Sequence, residues 1–289
     1  MKRMLGLLLA ASLALGGTSA AAAPAAVVEG VQMPAWVERS GKQMPAAAGM
    51  ELIATDTLRT GPGARLYVKL AEGSLVKLGE NASLQLLDVA PERGGVFKAA
   101  LSVLTGAFRF TTDVLAKPRR RDVKLTISTV TIGIRGTNLW GRSVKDNEIV
   151  CLIEGAIEVG AAGEKPILMN QPRQFYQRER GKTLPLAVID AKRLAELAAE
   201  TEIEPGKGAA QRGGKWRVTL ISGGTQDAAL AVYDQVRAAG YAAEIHASKA
   251  GEQRVYAVRI AHLPSQAEAA ALGAQLRGKY GVVEAKVSR

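Results

Sequence analysis

Two β-like runs near the C-terminal end carry side chains that can bind a ligand through hydrogen bonds. In residues 216–222 and 254–261, apolar positions alternate with polar ones. Successive side chains of a strand point to opposite faces of a sheet, so Arg217, Thr219 and Arg259 are expected on one face. Their guanidinium and hydroxyl groups offer donors and acceptors for a binding surface. The alternation adds Ile221, Val255 and Ala257 to that face and turns toward the helices the side chains of Trp216, Val218, Leu220, Tyr256, Val258 and Ile260.

The sequence holds no set of residues that indicates catalysis. A catalytic zinc site needs three protein ligands, and the only histidines, His246 and His262, lie outside any H-E-x-x-H spacing. Cys151 and Ser222 have no base pattern nearby for nucleophilic chemistry. Residues 222–225 are rich in glycine but lack the Lys-Ser/Thr end of a phosphate-binding loop. We therefore predict no enzyme activity, no cofactor and no metal site.

The elements that must position the binding face follow the order β-α-β-β-α-β over residues 215–289. This order predicts an α+β, ferredoxin-like sheet with both helices on one face and the other face free. Thr225 is expected to cap the first helix, which ends at Gly240. Ser265 and Glu268 form a capping box for the second helix. In that motif the Ser265 hydroxyl binds the amide of Glu268, and the Glu268 carboxylate reaches back to the amide of Ser265.

The preceding region has a different pattern and predicts a second domain. Residues 24–176 form short alternating runs separated by turns roughly every ten residues, which predicts an all-β sandwich or roll. Within residues 177–214 the pattern changes. Helical spacing at 186–203 predicts a single exposed or loosely docked helix, and the glycine-rich stretch 204–214 predicts a flexible linker. A length of 289 residues agrees with a multidomain chain.

The N-terminus predicts export. Residues 1–23 contain a basic end, an apolar stretch and a zone of small residues, which is the pattern of a cleaved signal peptide. No other run approaches transmembrane length. The mature protein is therefore expected outside the cytoplasm, without a transmembrane segment. The single cysteine, Cys151, can form no intramolecular disulfide and lies in an apolar β run, so a buried, inert thiol is expected.

The net charge of +11 is spread along the chain, with one dense cluster at residues 117–121. Basic clusters often contact nucleic acid, but an exported protein seldom meets any. One interpretation of the cluster is a solvated loop tip, and the other is contact with an anionic envelope polymer or lipid head groups. Aromatic residues make up only 4 % of the chain, which argues against a stacking platform for single strands. No nucleic-acid partner is expected.

The β-rich region resembles the FecR domain, a periplasmic module. The family name is associated with iron-uptake signalling, in which a cytoplasmic anti-sigma segment and a membrane span precede the periplasmic part. Here only the predicted signal precedes the β region, so transmembrane transcription control is disfavoured. Gly133, Arg135, Gly136 and Thr137 are expected to make a strand-end turn and its hydrogen bonds. The likeness rests on residues 56–61, 71–74, 79–83, 127–137 and 153–157.

The C-terminal unit resembles the SPOR domain, a family that binds peptidoglycan and favours glycan strands stripped of stem peptides at the division septum. Residues 216–222 correspond to the first strand of the family, 239–243 to the turn before the second strand, and 255–260 to the third strand. The likeness covers the whole unit. It implies a glycan-binding surface on the open face of the sheet.

The resemblance also implies which residues hold the glycan. The family face usually offers a Gln, a Ser and an Arg, often with an aromatic residue nearby. This chain keeps Ser222 but has Thr219 for the Gln and Ala257 for the Arg, and no aromatic. Arg254 and Arg259 are the arginines that can replace the missing one. The implied glycan-binding residues are Arg217, Thr219, Ser222 and Arg259.

These features predict a non-catalytic, periplasmic envelope protein. Its C-terminal domain is expected to bind peptidoglycan glycan strands, and its β domain a further envelope ligand or protein partner. The alternative is a periplasmic interaction or sensor module whose small sheet binds a protein partner and no glycan.

Overall fold

The computed structural model describes residues 24, 26–91, 96–112, 120–134, 136–251 and 253–289. The predicted signal peptide, residues 1–23, lies outside this set, as do Arg135 and residues 117–119 of the basic cluster. In the part of the chain that is described, no helix combines the length and the apolar character needed to cross a membrane.

A mostly β region comes first and a separate α/β region follows it, as the sequence predicts. Apolar side chains from many strands of the first region share one buried core. The strands of this β domain are β1 (Ala26–Gln32), β2 (Ala35–Arg39), β3 (Lys42–Pro45), β4 (Glu51–Leu52), β5 (Thr57–Thr60), β6 (Arg65–Leu70), β7 (Leu75–Leu78), β8 (Ser83–Pro91), β9 (Val96–Thr111), β10 (Arg120–Ile127), β11 (Val130–Ile134), β12 (Asn138–Val144), β13 (Asn147–Glu154), β14 (Ile157–Ala161), β15 (Ile167–Met169), β16 (Gln174–Glu179), β17 (Lys182–Thr183), β18 (Ala187–Val188) and β19 (Ala210–Gln211).

These strands form two sheets that share the long strand β9. The first sheet has the order β19-β1-β6-β7-β9-β12-β13-β16, with β4 also beside β1, and with β17 and β18 beside β16. The second sheet has the order β3-β2-β5-β8-β9-β10-β11-β14-β15. Strands β9 and β10 run parallel, and the other pairs are antiparallel.

Strand β9 passes from the second sheet to the first at Gly106. Thr105 still pairs with Ser83 of β8, whereas Gly106 pairs with Ser143 of β12. Gly106 has a φ of 88°, in the left-handed region that glycine adopts most readily. A Cβ at this position would lie 2.5 Å from the Cβ of Ala82. The crossing therefore requires glycine for its backbone conformation and for its lack of a side chain.

The helix predicted at residues 186–203 is shorter and more firmly docked than expected. It is α1 (Ala191–Ala199), and its Leu197 is buried in one cluster with Trp140 of the first sheet. The β pairing continues as far as β18, beyond the predicted domain limit at residue 176. Strands as short as β17 and β18 have little signal of their own, because their pairing partner defines them.

Residues 204–214 are held between the domains, whereas the sequence predicts a flexible linker. Strand β19 in this segment pairs with β1 through Gly30 and Val31. Ala209 and Ala210 are buried. A buried backbone must satisfy its polar groups, and strand pairing does so here. We call residues 204–214 the connector.

The C-terminal domain places two helices over a sheet with the antiparallel strand order β21-β22-β20-β23. Thr225 and Ser265 cap the helices as predicted, each accepting a hydrogen bond from the amide three residues on. The second strand begins at Glu244 and the last at Lys286. The elements are β20 (Trp216–Gly224), α2 (Gln226–Ala238), β21 (Glu244–Ala250), β22 (Gln253–Leu263), α3 (Gln266–Leu276) and β23 (Lys286–Ser288).

Glu268 of α3 differs from the capping-box prediction. Its carboxylate accepts hydrogen bonds from the amides of Gly206 at 2.6 Å, Gly208 at 2.7 Å and Ala209 at 3.1 Å. The connector supplies three amides to the carboxylate, where the capping box would supply one. The first turn of α3 therefore binds the connector.

A second contact joins the turn after α2 to the β domain. The carbonyl of Gly240 accepts a hydrogen bond from the amide of Ala35 at 3.1 Å. A Cβ on Gly240, whose φ is 89°, would lie 2.5 Å from the ring of Trp36. This contact and that of Glu268 involve the helix layer. The opposite face of the small sheet takes no part in them.

Candidate functional site

A row of four polar side chains crosses the small sheet on the face away from the helices. Thr219 of β20 pairs with Arg259 of β22 on one side and with Lys286 of β23 on the other. Arg259 pairs in turn with Glu244 of β21. Directly opposed residues of antiparallel strands point to the same face. We call Lys286, Thr219, Arg259 and Glu244 the polar row.

A hollow of about 200 Å³ lies beside the polar row, between β20 and the segment that leads into β23. Thr219 and Lys286 line it together with Ile221 and Val283. The Val283 side chain is 87 % exposed, which is unusual for an aliphatic residue. The hollow therefore combines hydrogen-bonding groups with an apolar wall, as small-ligand sites commonly do.

The charged members of the row are open to a ligand. Among the described residues no ion pair joins Arg259 to Glu244, although they are opposed in the sheet. Lys286 lies 3.6 Å from Glu284, and both side chains are 67 % exposed, so this pair is weak. The row can donate hydrogen bonds from Lys286 and Arg259 and accept them at Glu244.

Comparison with protein families identifies both domains. Residues 56–158 match the family model described as FecR protein, and residues 212–285 match the one described as SPOR domain. The chain carries a FecR domain followed by a SPOR domain. Both predicted resemblances are confirmed, and in the predicted order.

Beyond these two families the similarities are weak. None of the curated proteins matches the chain. Two crystal structures of a candidate anti-sigma factor from Parabacteroides distasonis, at 1.65 Å and 2.50 Å resolution, are 14 % identical to it with a TM-score of 0.39. The match covers 48 % of this chain and 62 % of that one, which is less than two thirds of its length. A similarity of this size supports no conclusion about function.

The SPOR domain brings together two of the four residues proposed from the sequence. Thr219 and Arg259 are direct neighbours in the polar row. Arg217 lies two residues along β20, where its guanidinium donates a hydrogen bond to the carbonyl of Arg289. Arg254 pairs with Lys249 at a position five residues from Arg259, which places it on the helix-facing side. Arg254 therefore does not replace the missing arginine.

The last part of β20 departs from the predicted alternation. The pairing with β22 shifts between Thr219 and Ile221, so that Ile221 is opposed to Val258. Ile221 is partly buried: it packs against the core and also lines the hollow, whereas the sequence predicts it on the open face. A β-bulge inserts one extra residue and re-aims the side chains that follow it. The side chain of Ser222, the fourth proposed residue, lies outside the described part of the structure.

Two members of the polar row, Lys286 and Glu244, were missed by sequence reasoning. Each enters the row because its strand pairs in a particular register with β20 or β22. Single-strand alternation does not define that register. The signal that could have identified both residues is a charged side chain at the start of the second strand and of the last strand.

In the FecR domain, the matching motifs hold the fold together. Asp56 is fully buried and accepts two hydrogen bonds from the guanidinium of Arg39, both at 2.7 Å. The Thr137 hydroxyl donates to the carbonyl of Ala156 at 2.9 Å, and the Thr137 amide donates to the Thr112 hydroxyl. These bonds fit the predicted strand-end turn.

The remaining candidate groups for chemistry lie apart from one another. Cys151 is buried beneath α1, and burial raises the pKa of its thiol to about 11. His246 is exposed in β21, and His262 is exposed near the end of β22. Over the described residues, no group of three or more His, Cys, Asp or Glu side chains could hold a metal ion.

Proposed function

We propose that this protein is an exported, non-catalytic component of the cell envelope whose SPOR domain binds peptidoglycan glycan strands. The observation that carries the proposal is the polar row beside the hollow, in a domain whose family indicates peptidoglycan binding. The ferredoxin-like arrangement and the periplasmic location belong to the same proposal. The N-terminal export pattern of residues 1–23 supports that location.

The chemistry of the row suits a sugar polymer. Glycan hydroxyls and N-acetyl groups both donate and accept hydrogen bonds, and Thr219 can do both as well. The sugar ring needs an apolar contact, for which Val283 stands in place of the usual aromatic residue. The two domain contacts at Glu268 and Gly240 leave this face open to an extended strand.

Co-sedimentation with purified sacculi tests the proposal. Mature protein, residues 24–289, should sediment with sacculi, and more of it after an amidase has removed the stem peptides. The double variant Thr219→Ala/Arg259→Ala should bind roughly thirtyfold more weakly, because each of the two lost hydrogen bonds costs about 1 kcal/mol.

Arg254→Ala provides the matched control for this experiment. It removes the same charge from the same strand, but from the helix-facing side, so binding should be unchanged. Equal loss in both variants would show that the open face is not the site. If the folded protein sediments with neither untreated nor amidase-treated sacculi, the result would favour the alternative, in which the sheet binds a protein partner.

We further propose that the FecR domain binds a second envelope component. A hollow of about 510 Å³ on its second sheet supports this assignment. Lys124, Gly133, Glu158 and Leu168 form a row across four strands along it. Leu168 is 57 % exposed, and Gly133 leaves open space above the sheet. A photo-crosslinking residue at position 168 should capture a partner in cells, whereas one at the exposed Ile53 should not.

A further inference from the structure

The outer side of the first sheet of the FecR domain has a polar half and an apolar half. Register places Tyr67, Lys77, Arg109, Trp140 and Cys151 opposite one another on five consecutive strands. The first three carry polar groups, and the last two are fully buried. One side of a single sheet thus offers two different surfaces to whatever covers it.

Helix α1 covers the apolar half. Leu197 packs in one buried cluster with Trp140 and Cys151, and Leu194 lies at its edge. The helix ends at Ala199, and the chain continues directly over the polar half. Residues 200–204, with the sequence Glu-Thr-Glu-Ile-Glu, form what we call the acidic segment.

The middle glutamate of the acidic segment has the closest contacts. The Glu202 carboxylate accepts hydrogen bonds from the Tyr67 hydroxyl at 2.7 Å, from Lys77 at 2.6 Å and from Arg109 at 3.0 Å. Burial opposes ionisation of Glu202, but the hydrogen bonds from Lys77 and Tyr67 outweigh it, so the pKa of this carboxyl is lowered. Glu202 is therefore bound as a carboxylate.

The other two glutamates lie two residues before and two residues after Glu202, and each forms an ion pair with an arginine. Glu200 lies 3.2 Å from Arg142, and Glu204 lies 3.5 Å from Arg65. Glu200 and Thr201 continue the last turn of α1, since the amides of Thr201 and Glu202 donate to the carbonyls of Ala198 and Ala199. We call Arg65, Tyr67, Lys77, Arg109 and Arg142 the basic surface.

The basic surface also receives the backbone of the segment. The amide of Ile203 donates to the Tyr67 hydroxyl at 2.7 Å, and the amide of Glu204 donates to the Gln32 side chain at 2.9 Å. A Cβ on Gly79 would lie 2.8 Å from the carbonyl oxygen of Glu200, so the glycine allows the close approach. None of the strand pairings among the described residues includes the acidic segment. Side chains of the sheet hold it.

A competing peptide can replace these side-chain contacts between the acidic segment and the basic surface. The carboxylate side chains of Glu200, Glu202 and Glu204 are 36 %, 39 % and 49 % exposed. Ion pairs with this much solvent contact are weak one by one and are screened by salt. The covalent tether adds to these contacts, because it gives the segment a high effective concentration at its site.

We propose that the basic surface is a binding site for acidic peptides, which the chain's own residues 200–204 occupy as an internal ligand. The partner it fits is a protein segment with carboxylates at alternate positions. Binding of that partner displaces the acidic segment from the basic surface. This site lies in the FecR domain and is independent of glycan binding by the SPOR domain.

A peptide-binding experiment tests the site directly. The probe is a fluorescent synthetic peptide of residues 198–206, added to mature protein and followed by anisotropy. The variant Glu200→Gln/Glu202→Gln/Glu204→Gln should bind it at least tenfold more tightly than the wild type, because the internal ligand no longer competes. A peptide with glutamine at the three acidic positions should bind neither protein.

Two controls make the result decisive. Adding Lys77→Ala and Arg109→Ala to the triple variant should abolish binding if the basic surface is the site. Equal binding of the acidic and the glutamine peptides would overturn the proposal, and so would a triple variant with native circular dichroism that binds no peptide.

Hydrogen exchange in the wild type gives a second readout that does not depend on the triple variant being stable. Millimolar acidic peptide should speed exchange of the amides of Ile203 and Glu204 severalfold, because their acceptors on the sheet are taken by the competitor. Unchanged exchange at both amides under saturating peptide would overturn the proposal. The glutamine peptide is expected to leave both rates unchanged.

Discussion

Glu268 accepts a hydrogen bond from the amide of Gly208 at 2.7 Å, across sixty residues of sequence. Two neighbouring connector amides bind the same carboxylate. The residue that the capping-box pattern assigns to a local role thus joins the SPOR domain to the connector. Gly208 has a φ of 75°, and a Cβ there would lie 2.8 Å from that of Leu272. The close approach of the connector to α3 depends on this glycine.

Replacing Glu268 should loosen the connector. Hydrogen bonds to a charged group contribute about 1.5–3 kcal/mol, so Glu268→Ala should lower the free energy of unfolding by roughly 2 kcal/mol. Limited proteolysis should then cut within residues 204–214. Asp227→Ala is the matched control, because Asp227 is also an acidic residue in the first turn of a helix. Cleavage at the same rate in both variants would contradict the role assigned to Glu268.

A side chain at Gly106 should destabilise the FecR domain. Gly106→Ala combines a left-handed backbone with a clash against Ala82, so a loss of at least about 2 kcal/mol is expected in urea unfolding. Gly49→Ala separates the two effects. Gly49 has a nearly equal φ of 85° but no atom within 4 Å of an added Cβ. Gly49→Ala should therefore lose only the part of the unfolding free energy that comes from backbone conformation. If both variants lose the same amount, the clash with Ala82 contributes nothing.

The sequence predicts those features of the fold that have local causes. The order of elements in the SPOR domain and the caps at Thr225 and Ser265 follow from periodicity and capping chemistry, and the structure shows both. The bulge after Thr219 has no local signal, because it is defined by the partner strand. The same holds for Lys286, whose place beside Thr219 depends on the pairing of the first and last strands.

The connector was mispredicted for a related reason. Its glycine-rich composition is that of a flexible chain, and flexibility would follow if its amides met only water. Here they meet a carboxylate of α3 and a strand of the first sheet. In the connector, glycine instead allows the backbone to lie close to α3. At Gly208, for example, Leu272 leaves no room for a side chain.

Removing the Glu202 carboxylate should reduce the acid sensitivity of the fold. Its pKa is lowered from 4.5 in the folded state, so its contribution is present above the unfolded pKa and is lost as pH falls through the folded pKa. Glu202→Gln should cost roughly 1 kcal/mol at pH 7, as expected for a partly exposed network. The difference from wild type should shrink below about pH 4. A difference that stays constant with pH, measured by urea unfolding, would contradict this account.

The Cys151 thiol should be inert while α1 is docked. Its pKa of about 11 and its burial beneath the helix keep the reactive thiolate scarce and shielded. Labelling by a disulfide reagent should therefore be slow at pH 8 in native protein and fast in urea. Leu197→Ala should speed native labelling at least several-fold, because it leaves a cavity where the helix contacts the sheet. Leu230→Ala, at an exposed position on α2, should leave the rate unchanged.

Lys286 should matter for glycan binding although its place in the last strand gives no hint of it. It lies opposite Thr219 and lines the hollow, so it can donate a hydrogen bond to a strand bound along the polar row. Lys286→Ala should weaken sedimentation with amidase-treated sacculi roughly three- to tenfold, the equivalent of one hydrogen bond. Lys249→Ala is the control: it removes the same charge from an exposed position whose side chain alternates to the helix-facing side. Because sacculi are charged, both variants should be compared at low and at high salt. If Lys249→Ala weakens binding as much as Lys286→Ala and the two losses vanish together in salt, the contribution of Lys286 is general attraction and the polar row is not where the glycan lies.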